Sequence, residues 1–338
     1  MKIIFFGVRE EEKALIKSGT ENYGYEYAIR CDYLSKENIN CTKGFDAVNI
    51  VVNCIIDETI VAKLAENGVR YIITRAAGTN HLDLNAIARY GIKTANVPSY
   101  SPNAIAEHTV MLALAAIRKF KRQIMQNQIK DFRIKGLMGM EMRNMTVGIV
   151  GTGRIGECTA KLLSGFGAKL LFYDQYHKKE LQDIGNYVEL EKLFNKCDIL
   201  IFHCPLTKEN YHMIDKKSLE KCKKGIILVN CARGGIIDTE AVLDALERGH
   251  VGSFAFDVYE MDEAYIRQNK QNQMIEDSVF TKLLSMDNVI YTAHTAFYTD
   301  EAVFNMVYTS IEDIYMYENT GKCVNEIRIM QEHKRSIS

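Results

Sequence analysis
The amino-acid sequence predicts an α/β protein with two parallel sheets, each covered by helices on both faces. Three observations carry that reading. Short apolar runs alternate with helix-length segments, the rhythm appears twice, and one run at residues 145–157 breaks into the three glycines of MTVGIVGTGRIGE. Strands that are apolar throughout, not alternately, belong to sheets buried on both faces, which parallel crossovers produce. A length of 338 residues points to two domains, each with its own core.

The elements follow in order. KIIFFG opens as a strand, with an apolar run too short for a signal peptide and acids directly behind it. AVNIVVN (47–53) and RYIITRAAG (70–78) read as further strands with helical patterns between them. The seam is NVPSYSPNAIAEHTVMLALAAIRKFKRQI, which holds Pro98 and Pro102, two of the three prolines. Ser101 is placed to cap a helix starting at Pro102, where a missing N–H costs nothing. After the glycines come AKLLFYD (168–174), DILIFHCP (198–205), GIILVNCARG (225–234), GSFAFDVYE (252–260) and NVIYTAH (288–294). A helix over 299–319 leads the chain back. The expectation is an outer, discontinuous domain of residues 1–100 and 299–338, with 101–298 inserted as the inner domain.

Composition excludes several classes. The 42 basic and 43 acidic residues nearly cancel, so no field selects nucleic acid. No segment approaches the roughly 18 apolar residues of a membrane span. The nine cysteines include no C-x-x-C pair, which predicts free thiols in a reducing cytoplasm and neither disulfides nor a metal site.

The glycine run has a specific use. In a strand leading into G-x-G-x-x-G, Gly151 permits the tight turn, Gly153 lets a pyrophosphate approach the backbone, and Gly156 lets the helix pack on the strand. The helix start offers free N–H groups to phosphates. Asp174 ends the next strand, where a carboxylate accepts from a ribose 2′-hydroxyl and repels a 2′-phosphate; the cofactor expected is NAD, not NADP. Three later strands end in Arg233, Asp257 and His294, at the rim where open parallel sheets bind ligands. Beside a nicotinamide these residue types fit hydride transfer. The histidine protonates a ketone oxygen, the arginine holds a carboxylate, and a neighbouring acid keeps the imidazole charged.

The set YSPNAIAEH, VGIVGTGRIG, VNCARGGIIDTEAV, FDVYE and HTAFYTDEAV, in this order and spacing, resembles the D-2-hydroxyacid dehydrogenase family over nearly the whole sequence. YSPNAIAEH and HTAFYT are closest to its D-lactate dehydrogenase branch. The resemblance implies two Rossmann-like doubly wound domains separated by a cleft. It makes 101–298 the NAD-binding domain and the outer domain the substrate domain. It also implies a homodimer formed through the inner domain and a small 2-oxo or 2-hydroxy acid as substrate. By position it assigns Arg233 to the substrate carboxylate and His294 to acid/base chemistry. NAD contacts fall to Arg154, Ile155, Asp174, Cys204, Pro205, Asn210, Cys231, Ala232, Arg233 and Asp257. Ala77 and Gly78 would offer backbone N–H groups to the substrate carboxylate, with Tyr100 and Tyr298 toward its far end.

Two positions depart from the family. Its catalytic glutamate, five residues after the strand-end aspartate, is here Asp262, one methylene shorter; Glu263 and Glu260 are the alternatives. Its usual proline before the histidine is Ala293, which is expected to loosen that loop. The reaction implied is reduction of pyruvate to D-lactate. The alternatives are (R)-2-hydroxyglutarate dehydrogenase and D-2-hydroxyacid dehydrogenases for aryl or branched-chain acids. Phosphoglycerate dehydrogenase and an NAD-sensing corepressor-like protein are further readings. Loops around Asn53, Tyr100 and residues 133–143 would set which substrate group is accepted.

Overall fold
The N-terminal apolar runs form a five-stranded parallel sheet. In the computed structural model, which describes residues 1–327, the strands are β1 (Lys2–Phe5), β2 (Glu26–Ile29), β3 (Ala47–Ile50), β4 (Tyr71–Thr74) and β5 (Lys93–Asn96). Their order is β2-β1-β3-β4-β5, the doubly wound order of flavodoxin-like sheets. Helices α1 (Glu10–Glu21), α2 (Glu58–Glu66) and α3 (Leu84–Arg89) connect them. Asp57 and Asp83 cap α2 and α3 by accepting from Ile60 and Ala86 N–H. Every residue of β3 and β4 is buried. The edge strands β2 and β5 are only partly covered, so EYAI and KTAN carry no continuous apolar run and escape a sequence reading.

The second sheet has seven parallel strands: β6 (Thr146–Val150), β7 (Lys169–Tyr173), β8 (Gly185–Tyr187), β9 (Ile199–Phe202), β10 (Ile226–Asn230), β11 (Val251–Phe256) and β12 (Val289–Tyr291). Around them run α4 (Pro102–Ile117), α5 (Phe120–Gln128), α6 (Arg154–Gly165), α7 (Leu190–Lys196), α8 (Lys216–Lys221), α9 (Thr239–Glu247) and α10 (Ser278–Ser285). The order β12-β11-β10-β9-β6-β7-β8 is the Rossmann order with one strand added, and its switch point falls between β6 and β9. Val110, Ala113 and Ile117 of α4 pack with Ala160 and Leu163 of α6 on Val147 and Ile149. Phe202, Leu228, Phe254, Phe256 and Phe280 fill the opposite face. Full burial of such groups contributes about 1.5–3 kcal/mol each.

Helix α11 (Asp300–Thr320) starts at Thr299, whose hydroxyl accepts from Ala302 N–H, and stops at Gly321 with φ 71°. It buries Val307, Ile311, Ile314 and Tyr317 with Ile3, Phe5 and Ile73. The protein accordingly divides into two units, Met1–Ser101 with the segment from Thr299 onward, and Pro102–Tyr298. Among the described residues no helix is long and apolar enough to cross a membrane, and no group of three His, Cys, Asp or Glu could hold a metal ion. All nine cysteines are free thiols.

Candidate active site
The glycine turn sits at the switch point of the seven-stranded sheet. Gly151 has φ 93°, and a Cβ there would lie 2.7 Å from Cys204 N, so the turn presses on the segment leaving β9. A Cβ on Gly156 would lie 2.0 Å from Gly151 O, which leaves glycine as the only residue that fits. A Cβ on Gly153 would meet nothing within 4 Å among the described residues beyond its chain neighbours. Gly153 is also the N-cap of α6 and supplies no side-chain cap, so the N–H groups of the first turn, from Arg154 and Ile155 on, keep their donors. An open cradle facing uncapped donors fits a pyrophosphate. Asp174, at the end of β7, accepts from Thr152 N–H at 2.6 Å, Thr152 Oγ1 at 3.1 Å and Tyr176 N–H at 2.9 Å. Burial acts to raise its pKa, but these donors outweigh burial and hold it below the ordinary value. The carboxylate beside the cradle is therefore ionised and a pure hydrogen-bond acceptor. Thr152 and its partner Tyr187, 2.9 Å away, had no motif to reveal them.

Across the switch point, Asn210 donates to Pro205 O at 2.7 Å and to Cys204 Sγ at 3.7 Å, shaping the turn after β9. Burial pushes the Cys204 thiol up to about 11 and the Cys231 thiol up to about 12, so both stay neutral. After β10, Asn230 clasps the next turn: its Oδ1 accepts from Ala232 N–H at 3.0 Å and its Nδ2 donates to Arg233 O at 2.9 Å. The Arg233 guanidinium is exposed and donates to Ala232 O. Among the described residues it pairs with no carboxylate, which leaves its fork available to an anion.

The neighbouring strands bring the remaining groups to the same rim. Asp257 is buried, and its carboxylate accepts from Thr292 Oγ1 at 2.6 Å, Thr295 N–H at 2.8 Å and Ala296 N–H at 2.9 Å. His294 N–H donates to Asp257 O at 2.7 Å. Asp257 thus shapes the loop that carries His294. His108 of α4 supports it, with Nε2 2.9 Å from Thr292 Oγ1 and 3.6 Å from Asp257. Burial lowers the His108 pKa, opposed by the Asp257 charge. That role of His108 was not legible in the sequence.

The shorter acid reaches its target. Asp262 Oδ2 lies 3.1 Å from His294 Nδ1, while Oδ1 accepts from Tyr259 N–H at 2.7 Å and from the Tyr291 hydroxyl at 3.4 Å. A short 3₁₀ turn over Asp262–Ala264 carries the carboxylate to the imidazole. Glu260 is held elsewhere, on His212 and Thr239. The carboxylate of Glu263 lies outside what the structure describes. The expectation that Ala293 merely loosens the loop is corrected: Ala293 and His294 have φ 51° and 57°. Proline, locked near −65°, cannot occupy that position in this loop.

In the other unit, the turn after β4 exposes Ala77. Val97 N–H bonds Ala76 O at 3.0 Å and Asn96 Nδ2 bonds Ala77 O at 2.7 Å. The N–H groups of Ala77 and Gly78 have no hydrogen-bond partner among the described residues. Buried Arg75 anchors this turn through Glu12 at 3.2 Å, Asn49 Oδ1 at 2.7 Å and Phe6 O at 2.9 Å. Tyr100 O accepts from Asn305 Nδ2 at 2.7 Å, and Tyr298 is exposed beside Phe297.

A dinucleotide cradle at the switch point, with an imidazole–carboxylate pair and an unpaired arginine on the same rim, defines an NAD-dependent oxidoreductase. The family model for the NAD-binding domain of D-isomer specific 2-hydroxyacid dehydrogenases matches residues 110–296. The chain belongs to the D-isomer specific 2-hydroxyacid dehydrogenase family. It is 37% identical over 327 residues to an aromatic 2-oxoacid reductase of Clostridium sporogenes, covering 96% of this chain and 99% of that protein. Its identity to the D-lactate dehydrogenase of Escherichia coli is 34% over 328 residues, covering 97% and 100%. A crystal structure of a D-lactate dehydrogenase from Treponema pallidum superposes with a TM-score of 0.90 at 32% identity, covering 97% and 100%.

Proposed function
We propose that the enzyme reduces a 2-oxo acid to the (R)-2-hydroxy acid, with pyruvate to D-lactate as the leading pair. The observation that carries the reading is the His294–Asp262 pair, 3.1 Å apart, on the rim that also presents an unpaired Arg233. NADH, when bound, supplies the hydride. Gly151, Gly153, Arg154, Ile155 and Gly156 would hold its phosphates, Asp174 the ribose, and the turns at Cys204–Pro205–Asn210 and Cys231–Ala232 the nicotinamide side.

In this mechanism Arg233 binds the substrate carboxylate as a bidentate fork and draws electron density from the adjacent carbonyl. His294 donates the Nε2 proton to the carbonyl oxygen as the carbon is reduced. Asp262 accepts from Nδ1–H at 3.1 Å and so orients the ring with Nε2 toward the substrate. Asp257 sets the loop that delivers the ring. In the outer unit, the free N–H groups of Ala77 and Gly78 are assigned to the carboxylate, and Tyr100, like Tyr298 of the inner unit, to the far end of the substrate.

A second substrate reading, an aryl 2-oxo acid, has support from the Clostridium sporogenes reductase. Steady-state reduction of pyruvate, phenylpyruvate, 2-oxoisocaproate and 2-oxoglutarate with NADH separates the two. Pyruvate leading in kcat/KM supports the D-lactate reading, and phenylpyruvate leading replaces it. His294→Ala is expected to lower kcat by about 10²-fold or more while NADH still binds. An active variant with an unchanged pH profile would remove His294 from this role.

We further infer a homodimer through the inner unit. Phe120, Ile129, Phe132, Ile134 and Met138 expose a run of apolar side chains on and after α5, a surface that a second copy would cover. The cytoplasm, where NADH is regenerated and free thiols stay reduced, is the compartment this reading assigns.

A further inference from the structure
Glu260 and His212 stand outside the reacting set, yet three loops of the rim meet on them. Gly234, next to Arg233, lies so near the Tyr259–Glu260 peptide that a Cβ there would sit 2.2 Å from Tyr259 O. From that peptide the Glu260 carboxylate reaches His212 Nε2 at 2.6 Å and Thr239 N–H at 3.0 Å, and it also accepts from the Thr239 hydroxyl. A carboxylate only accepts, so Nε2 carries the proton. His212 has φ 53°, stacks on Tyr211 with centroids 4.0 Å apart, and donates its backbone N–H to Gly235 O at 2.8 Å. The Asp238 carboxylate lies 4.0 Å from its Nδ1. Glu260 therefore fastens the turn that bears Asp262 to the segment that bears Arg233.

We propose that the His212–Glu260 pair is a positioning device that seats the Asp262 turn so that His294 keeps its carboxylate. This rests on the roles given above to Asp262 and His294. The bond from Tyr259 N–H to Asp262 Oδ1 is internal to the turn and moves with it. An aspartate, one methylene shorter than glutamate, cannot follow the imidazole once the turn shifts. The strap matters here because the arm is short. Besides Arg233 on the same rim, the charged or titratable groups bonded to Asp262 or to the His294 loop among the described residues are Tyr291, which donates to Asp262, and buried Asp257 with His108 beside it. None of these three bonds Glu260 directly.

The experiment is the pH profile of kcat/KM for reduction of the best 2-oxo acid of the panel. It compares Glu260→Ala, His212→Phe (which keeps a ring on Tyr211) and Asp262→Asn. Loss of the nearby negative charge disfavours imidazolium, so each variant should move the basic limb to lower pH. Glu260→Ala and His212→Phe should also lower kcat/KM about 10-fold or more, the scale of a misplaced catalytic group, with the Kd for NADH unchanged. Glu260→Ala in the Asp262→Asn background should move the limb no further. Asp262→Glu, with its longer arm, should restore the limb in Glu260→Ala. A limb that stays in place in both strap variants, with only Tm falling, overturns the proposal. So does an equal shift in the Asp262→Asn background. If Asp262→Asn itself leaves the limb in place, the role of Asp262 fails and the strap falls with it.

Discussion

Ala293 and His294 are consecutive non-glycine residues in the left-handed region, at φ 51° and 57°. Each costs roughly 1–2 kcal/mol there, and strain of this kind persists where the surroundings over-determine it. Here the bonds from Thr292, His294, Thr295 and Ala296 to Asp257 do so. Ala293→Gly, which relieves the left-handed cost, should keep kcat with Tm equal or higher. Ala293→Pro, the family's residue, demands φ near −65° and should lose at least about 10-fold in kcat; full activity would show that the loop tolerates both geometries. Asp174 carries the second prediction at this scale. NADH should exceed NADPH strongly in kcat/KM, and Asp174→Ala should narrow the gap; equal use by the unaltered enzyme would end that assignment.

Helix α11 carries an internal liability at Asp313. The residue is buried, its Oδ1 accepts from Cys323 Sγ at 2.9 Å and Asn325 Nδ2 at 3.0 Å, and its Oδ2 has no partner among the described residues. Burial, opposed by those two hydrogen bonds, raises its pKa from 3.8 to about 6. The gap between the two values corresponds to about 3 kcal/mol. An acid whose folded pKa lies above its unfolded one takes up its proton on folding, so stability rises as pH falls from about 6 to about 4. Above pH 6 the whole cost is present. Asp313→Asn should raise Tm clearly at pH 8 and little at pH 4, by thermal melts at both pH values. A gain of the same size at both would refute the ionisation account.

At the scale of the whole molecule, the apolar stretch after α5 makes the prediction. Ile134 is 86% and Met138 87% exposed, and neighbouring side chains extend the same surface. Ile134→Glu with Met138→Glu should convert a dimer into monomers in sedimentation velocity and leave the fold intact by circular dichroism. A wild-type monomer at micromolar concentration would dismiss the dimer.

The central strands, the glycine turn, Asp174 and the rim residues Arg233 and His294 were legible in the sequence. Continuous apolar runs report burial on both faces, and a strand-to-helix glycine motif has few other uses. Strands β2, β5 and β8 were not, because short, partly exposed edge strands carry no such run. The sequence also left three acids open as the partner of His294. Only the fold decided that Asp262 meets it, that Glu260 is held by His212 and Thr239, and that Asp257 and His108 build its loop. Spacing in the sequence fixes which strand a residue follows. It carries no information about which way a turn of five residues folds back, since that depends on contacts with segments tens of residues away.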